Sequence, residues 1–167
     1  VEHVAQVRLL EKLKNHSGNP SVLVLRPADA AETTAAWKLA IENRDTPTAL
    51  ILSRQDIADL PAAEGNRYKE ALQIEKGAYI VEDCDGAPDI IFVASGSEVA
   101  TMAAGAALLR KKGRKIRVVS APSEGLFRKQ DPAYQNSILP ADVPKLGFTA
   151  GLPVTLEGLT GAGGRVF

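Results

Sequence analysis

Hydrophobic and polar positions alternate in blocks along the 167 residues, and the blocks differ in period. The opening VEHVAQVRLLEKLKN places Val4, Val7, Leu10 and Leu13 at spacings of three among charged residues, which predicts an amphipathic helix. NHSGNPS, residues 15–21, is a turn cluster. Val22 to Leu25 is wholly apolar, the signature of a strand buried on both faces of a parallel sheet, and Arg26-Pro27 ends it. Asp29 then stands as a helix N-cap with Glu32 at the capping-box position, opening a helix to about Asn43. After Thr46-Pro47, Thr48 to Leu52 makes a second buried strand ending in Ser53-Arg54-Gln55. Strand, helix and strand in this order predict a right-handed βαβ unit and a parallel sheet.

The periodicity fails between residues 59 and 76, where Pro61, Gly65 and Asn66 interrupt mixed charges, and this segment reads as a linker between domains. A second α/β unit begins at Gly77. Its strands are predicted at Ala78 to Val81, Ile90 to Ala94 and Ile116 to Ser120. An alanine-rich helix capped by Ser97 and closed by Gly113 joins the last two. Beyond Pro122 the pattern gives a short helix at Leu126 to Lys129, an irregular loop to Pro140, a strand within Lys145 to Ala150, and a further strand in the closing TGAGGRVF.

Composition narrows the function. Hydrophobic residues make up 45% of the chain and charged residues 24%, enough for a globular core and against disorder. Lys+Arg and Asp+Glu balance at 20 each, so no basic surplus steers the chain to nucleic acid or an anionic membrane. The single cysteine, Cys84, has no partner for a disulfide and favours a reducing, cytoplasmic setting. No run approaches the roughly 18 to 20 apolar residues of a membrane span. The chain has no initiator Met and no cap before its first helix, and it reads as a portion of a longer protein.

Two blocks carry a specific pattern: LRPADAAETTAAWKLAIENRDTPTALILSRQ at Leu25 to Gln55, and GAYIVED through IIFVASGSEV to IRVVSAPSEGLFRKQD at Gly77 to Asp131. In order and spacing they resemble transketolase over nearly the whole chain, with LSRQ and ASGSEV together the most specific elements. The resemblance implies two partial three-layer α/β units with parallel or mixed sheets. Residues 1–58 would be the tail of a pyrimidine-binding domain, 59–76 a linker, and 77–167 a truncated C-terminal domain. The implied activity is transfer of a two-carbon ketol unit from a ketose phosphate to an aldose phosphate. Thiamine diphosphate and a divalent metal, Mg or Ca, would serve the parent enzyme, a cytoplasmic homodimer. The motifs that hold them lie upstream of Val1 in this family, so no cofactor, metal or turnover is expected of these residues alone. Residues 11–19 depart from the family pattern as an apparent insertion, and the C-terminal domain stops early.

Arg54 follows a parallel strand at its carboxyl end, where open α/β sheets gather ligands, and a guanidinium there can grip a phosphate with two parallel hydrogen bonds. The resemblance implies that Arg54, with Ser53 beside it, contacts the phosphate of the sugar substrate; a strand-end arginine paired with a surface carboxylate is the alternative. No catalytic, cofactor-binding or metal-ligating residue is assigned. Ser95 to Glu98 offers a glycine turn at a helix start, but it lacks the GxGxxG and P-loop patterns, and Ser97 as an ordinary N-cap is the simpler reading. His3 and His16 lack metal-spaced partners and are expected to face solvent. Cys84 lies between acids, a poor setting for a thiolate nucleophile. Asp83, Asp85 and Asp89 lack the remainder of a calcium loop and read as a turn. Trp37 is expected to pack in a core or an interface. Other functions left open are an assembly portion of a split or proteolysed thiamine enzyme, dihydroxyacetone synthase, and a small nucleotide-binding module built on Ser95 to Glu98.

Overall fold

A computed structural model describes residues 2–63 and 65–167; the expectations that touch Val1 and Glu64 lie outside the described residues. Helix α1 (Glu2–Leu10) is shorter than its sequence pattern. Past Leu10 the amides of Glu11, Lys12 and Leu13 donate to carbonyls three residues back, tightening the helix to its end. The Asn15 carboxamide oxygen then accepts the Ser17 and Asn19 amides, which makes residues 15–19 a turn. The stripe predicted to be buried is also displaced: Leu10 and Leu13 are exposed, whereas Arg8 is buried against Ser95 and Thr155 of the second unit.

Strands β1 (Leu23–Leu25) and β2 (Thr48–Leu50) form a parallel pair, with the Ile51 amide extending the ladder to the Leu25 carbonyl. Between them runs α2 (Ala30–Glu42). Its cap is built as the sequence predicts: Asp29 accepts the Glu32 amide at 2.7 Å. Glu32 reaches back to the amide of Ala28, one residue before the cap, at 2.8 Å. Leu25, Ala35 and Ala36 join Ala71 and Ile74 in the core of this unit.

The segment expected to be aperiodic contains α3 (Arg67–Ala71), followed by a 3₁₀ turn at Leu72–Lys76. Asn66 caps α3 by accepting the Lys69 amide. Gly77 ends the turn at φ 85°, a left-handed conformation that suits glycine. Its α-carbon packs so closely on Ser123 and Phe127 that a β-carbon would lie 2.2 Å from the Phe127 nitrogen.

The second unit is a mixed five-stranded sheet of β3 (Tyr79–Glu82), β4 (Ile90–Ala94), β5 (Ile116–Ser120), β6 (Lys145–Phe148) and β7 (Arg165–Val166), ordered β3-β5-β4-β6-β7. Only the β3–β5 pairing in this sheet is antiparallel. Period-two alternation divides β4 between two cores. Phe92 and Ala94 pack with Val99, Met102 and Ala106 of α4 (Glu98–Arg110) on one face. Ile91 and Val93 meet Phe127, Ile138, Leu156 and Leu159 on the other. The second layer of helices is α5 (Glu124–Arg128), α6 (Pro132–Ile138) and α7 (Val154–Thr160). Helix α6 replaces part of the expected loop: Asp131 accepts the Tyr134 amide and Pro132 opens the first turn, a start that needs no amphipathic run. Ser97 makes no capping hydrogen bond to the start of α4, contrary to its sequence reading.

Candidate functional site

The carboxyl ends of β1 and β2 deliver two arginines with opposite fates. Arg26, after β1, is drawn into the second unit. Its Nη1 donates to the Ser95 carbonyl at 2.5 Å and its Nη2 meets the Glu98 carboxylate at 2.7 Å, with both side chains largely buried. Glu98 also accepts the Ala150 amide. A β-carbon on Gly96, at φ 67°, would lie 2.8 Å from the Arg26 side chain, so this glycine turn is shaped around the guanidinium. The Ser95 to Glu98 turn is therefore filled by Arg26, which argues against its use as a nucleotide site. The sequence reading missed this role of Arg26, because RP after a strand announces only a strand end.

Arg54, after β2, remains on the surface. Ser53 folds the loop back on itself: its hydroxyl accepts the Gln55 amide at 3.0 Å and donates to the Gln55 carbonyl at 3.1 Å. Arg54 is exposed, and among the described residues it has neither a hydrogen bond nor an ion pair. The structure thus pairs Arg54 with no surface carboxylate.

Behind these loops lies a buried polar cluster that connects the two units. Arg67 of α3 donates Nε to Asp29 at 2.7 Å and Nη2 to Glu32 at 3.2 Å and to the Tyr79 hydroxyl at 2.7 Å. Tyr79 donates in turn to Glu32 at 2.6 Å. Burial pushes the Glu32 carboxyl above its ordinary range, although Tyr79, the Ala28 amide and Arg67 favour its ionised form. Burial and the adjacent Glu32 charge likewise hold the Tyr79 phenol well above its usual value. For Arg67, burial opposes the charge, but Tyr79 and Asp29 outweigh it and keep the guanidinium protonated. Arg67 Nε and Nη2 are spent within the cluster, while Nη1 is buried without a hydrogen-bond partner. Asn66 before Arg67 was a readable helix cap; the buried ion pairs had no local signal.

The remaining sequence candidates lie apart. His3 and His16 are exposed. Asp83 is paired with Arg117 at 2.9 Å, Asp89 accepts the Lys115 amide, and the Cys84 amide donates to Asp83, so this segment is an ordinary turn. Trp37 is 52% exposed and does not belong to a core. Among the described residues no three His, Cys, Asp or Glu side chains converge as a metal-ligating group. No helix among them is long and apolar enough to cross a membrane.

A parallel strand pair leading into the LSRQ loop, followed by a mixed five-stranded sheet with helices on both faces, defines the α/β frame that carries Arg26 and Arg54. The transketolase-like C-terminal domain matches residues 77–167, and the transketolase pyrimidine-binding domain matches residues 2–59. Transketolase 1 of Vibrio cholerae is 40% identical over 99% of this chain, which covers 23% of that protein. The solved transketolase of Leishmania mexicana superposes with a TM-score of 0.80 at 32% identity, over 99% of this chain and 22% of that one. A Pichia stipitis transketolase solved with sedoheptulose-7-phosphate gives 0.73 at 37% identity, over 91% of this chain and 20% of that one. The chain belongs to the transketolase family, and it spans about a quarter of the length of the curated relatives it matches.

Proposed function

We propose that this chain supplies a substrate-phosphate anchor and a supporting domain to a transketolase that moves a two-carbon ketol unit from a ketose phosphate to an aldose phosphate. The observation that carries this reading is Arg54: an exposed guanidinium without a protein partner among the described residues, at the carboxyl end of the parallel pair β1–β2. Ser53 shapes the loop that presents it. A phosphate dianion would be held there by charge-assisted hydrogen bonds, which fix the far end of the sugar while chemistry proceeds elsewhere.

In the complete enzyme, thiamine diphosphate with Mg or Ca would supply the carbanion chemistry; this chain's part is binding and orientation. Residues 1–58 serve as the end of the pyrimidine-binding domain, 59–76 as the connection and 77–167 as part of the C-terminal domain. Trp37 and Ile41, one turn apart on α2 and 52% and 75% exposed, suit a contact with the remainder of the enzyme or its dimer partner. The isolated chain is expected to show neither turnover nor micromolar affinity for thiamine diphosphate. Arg54→Ala, made in the enzyme that contains this chain and assayed with phosphorylated and unphosphorylated acceptors, tests the anchor.

A further inference from the structure

A cavity of about 520 Å³ lies between α1, α5 and α7, and its volume is in the range that accepts a small metabolite. One wall is apolar: Ala5, Leu9 and Val154, the last two more than half exposed although they face a concavity. Another carries Arg8 and Lys12, one turn apart.

Arg8 is only 7% exposed, yet it forms no salt bridge among the described residues. Its Nη1 donates to the Thr155 carbonyl at 2.5 Å and its Nη2 lies 3.5 Å from the Ser95 hydroxyl, while Nε is buried without a partner. A buried guanidinium bonded only to neutral oxygens is costly and is relieved by an anion. The two acids in the lining are already engaged. Glu11 accepts the Val24 amide and Glu124 is paired with Arg128; both attract Arg8 through space without forming an ion pair with it, and burial of the guanidinium outweighs their attraction. The Lys12 side chain is exposed, and its ammonium has no hydrogen bond or ion pair among the described residues.

We propose that this cavity binds a small amphipathic anion, a carboxylate or phosphate monoester bearing a compact apolar group, with Arg8 and Lys12 meeting the charge and Leu9 and Val154 covering the apolar part. The location of Arg8 on α1, bonded to α7 and to the β4–α4 turn, means that such a ligand would tie the first unit to the second.

Calorimetry on the full chain with phenyl phosphate, benzoate and benzyl alcohol tests this. The two anions are expected to bind saturably in this cavity, and uncharged benzyl alcohol at least about tenfold more weakly. Lys12→Glu, at an exposed position that leaves the fold intact by circular dichroism, is expected to weaken both anions by about tenfold or more. Val154→Trp should abolish binding in the cavity by filling it. Absence of saturable binding, equal affinity for benzyl alcohol, or indifference to both Lys12→Glu and Val154→Trp would overturn the proposal.

Discussion

The Tyr79 hydroxyl donates to the Glu32 carboxylate at 2.6 Å across 47 residues of chain, and both side chains are fully buried. This bond joins the first strand of the five-stranded sheet to the helix between β1 and β2. Tyr79→Phe removes the donor and leaves an acid under-satisfied in a dry site. The expected loss is about 1–3 kcal/mol of unfolding free energy in urea. A change within the error of the two unfolding curves would show that Arg67 and the Ala28 amide suffice to satisfy Glu32.

The same bond has a pH signature. Tyr79 titrates above its ordinary value of 10.0 in the folded chain, because of burial and the neighbouring Glu32 charge. Above that pH the folded state therefore holds a proton that the unfolded state releases, so this contribution is fully present below pH 10 and is lost as pH rises. The stability gap between wild type and Tyr79→Phe should thus shrink between pH 9 and pH 11, roughly one unit either side of the unfolded value. A gap that widens over this interval contradicts the sign.

Arg67 is the cation of the cluster. Arg67→Met strands Asp29 and Glu32 without their counter-ion, and breaking a buried pair from one side costs about 3–5 kcal/mol. Because α3 is only five residues long, it has little hold on α2 once these bonds are gone. Hydrogen exchange should then accelerate across Arg67–Lys76 more than in β4 or β5. Uniform acceleration, or none, would place the attachment of this segment elsewhere.

Two glycines separate backbone strain from packing. Gly77 and Gly113 both have positive φ, 85° and 79°, but a β-carbon on Gly77 would collide with Phe127 and Ser123 backbone atoms, whereas nothing lies within 4 Å at Gly113. Gly113→Ala should cost about 1–2 kcal/mol, the left-handed penalty alone. Gly77→Ala should cost on the order of 4 kcal/mol or prevent folding. Equal melting temperatures for the two variants would exclude the close approach.

Legibility in the sequence follows the range of the forces involved. The runs at Leu23–Leu25, Ile90–Ala94 and Ile116–Ser120 announce buried strands because most of their residues are buried, Arg117 with its Asp83 ion pair excepted. Asp29 announces its cap because the bond spans three residues. Arg8 and Arg67 were illegible for the opposite reason: their partners are distant, Thr155 for the one and Asp29 and Tyr79 for the other, and a charged residue in a helix pattern reads as solvent-facing. Helix α7 was missed because its pattern is thin. Seven residues with Gly158 inside show only Leu156 and Leu159 as a buried apolar pair. At the candidate site, the position of Arg54 after β2 was legible, but the loss of Arg26 to Glu98 was not, since it depends on the packing of one unit on the other.

The central claim concerns the Arg54 guanidinium and a substrate phosphate. Steady-state kinetics of Arg54→Ala in the complete enzyme, with a phosphorylated aldose and its unphosphorylated counterpart as acceptors, test it directly. The account expects KM for the phosphorylated acceptor to rise about ten- to 150-fold, corresponding to loss of a charge-assisted contact of about 1.5–3 kcal/mol, with little change for the unphosphorylated one. Equal losses with both acceptors, or none with either, would contradict it.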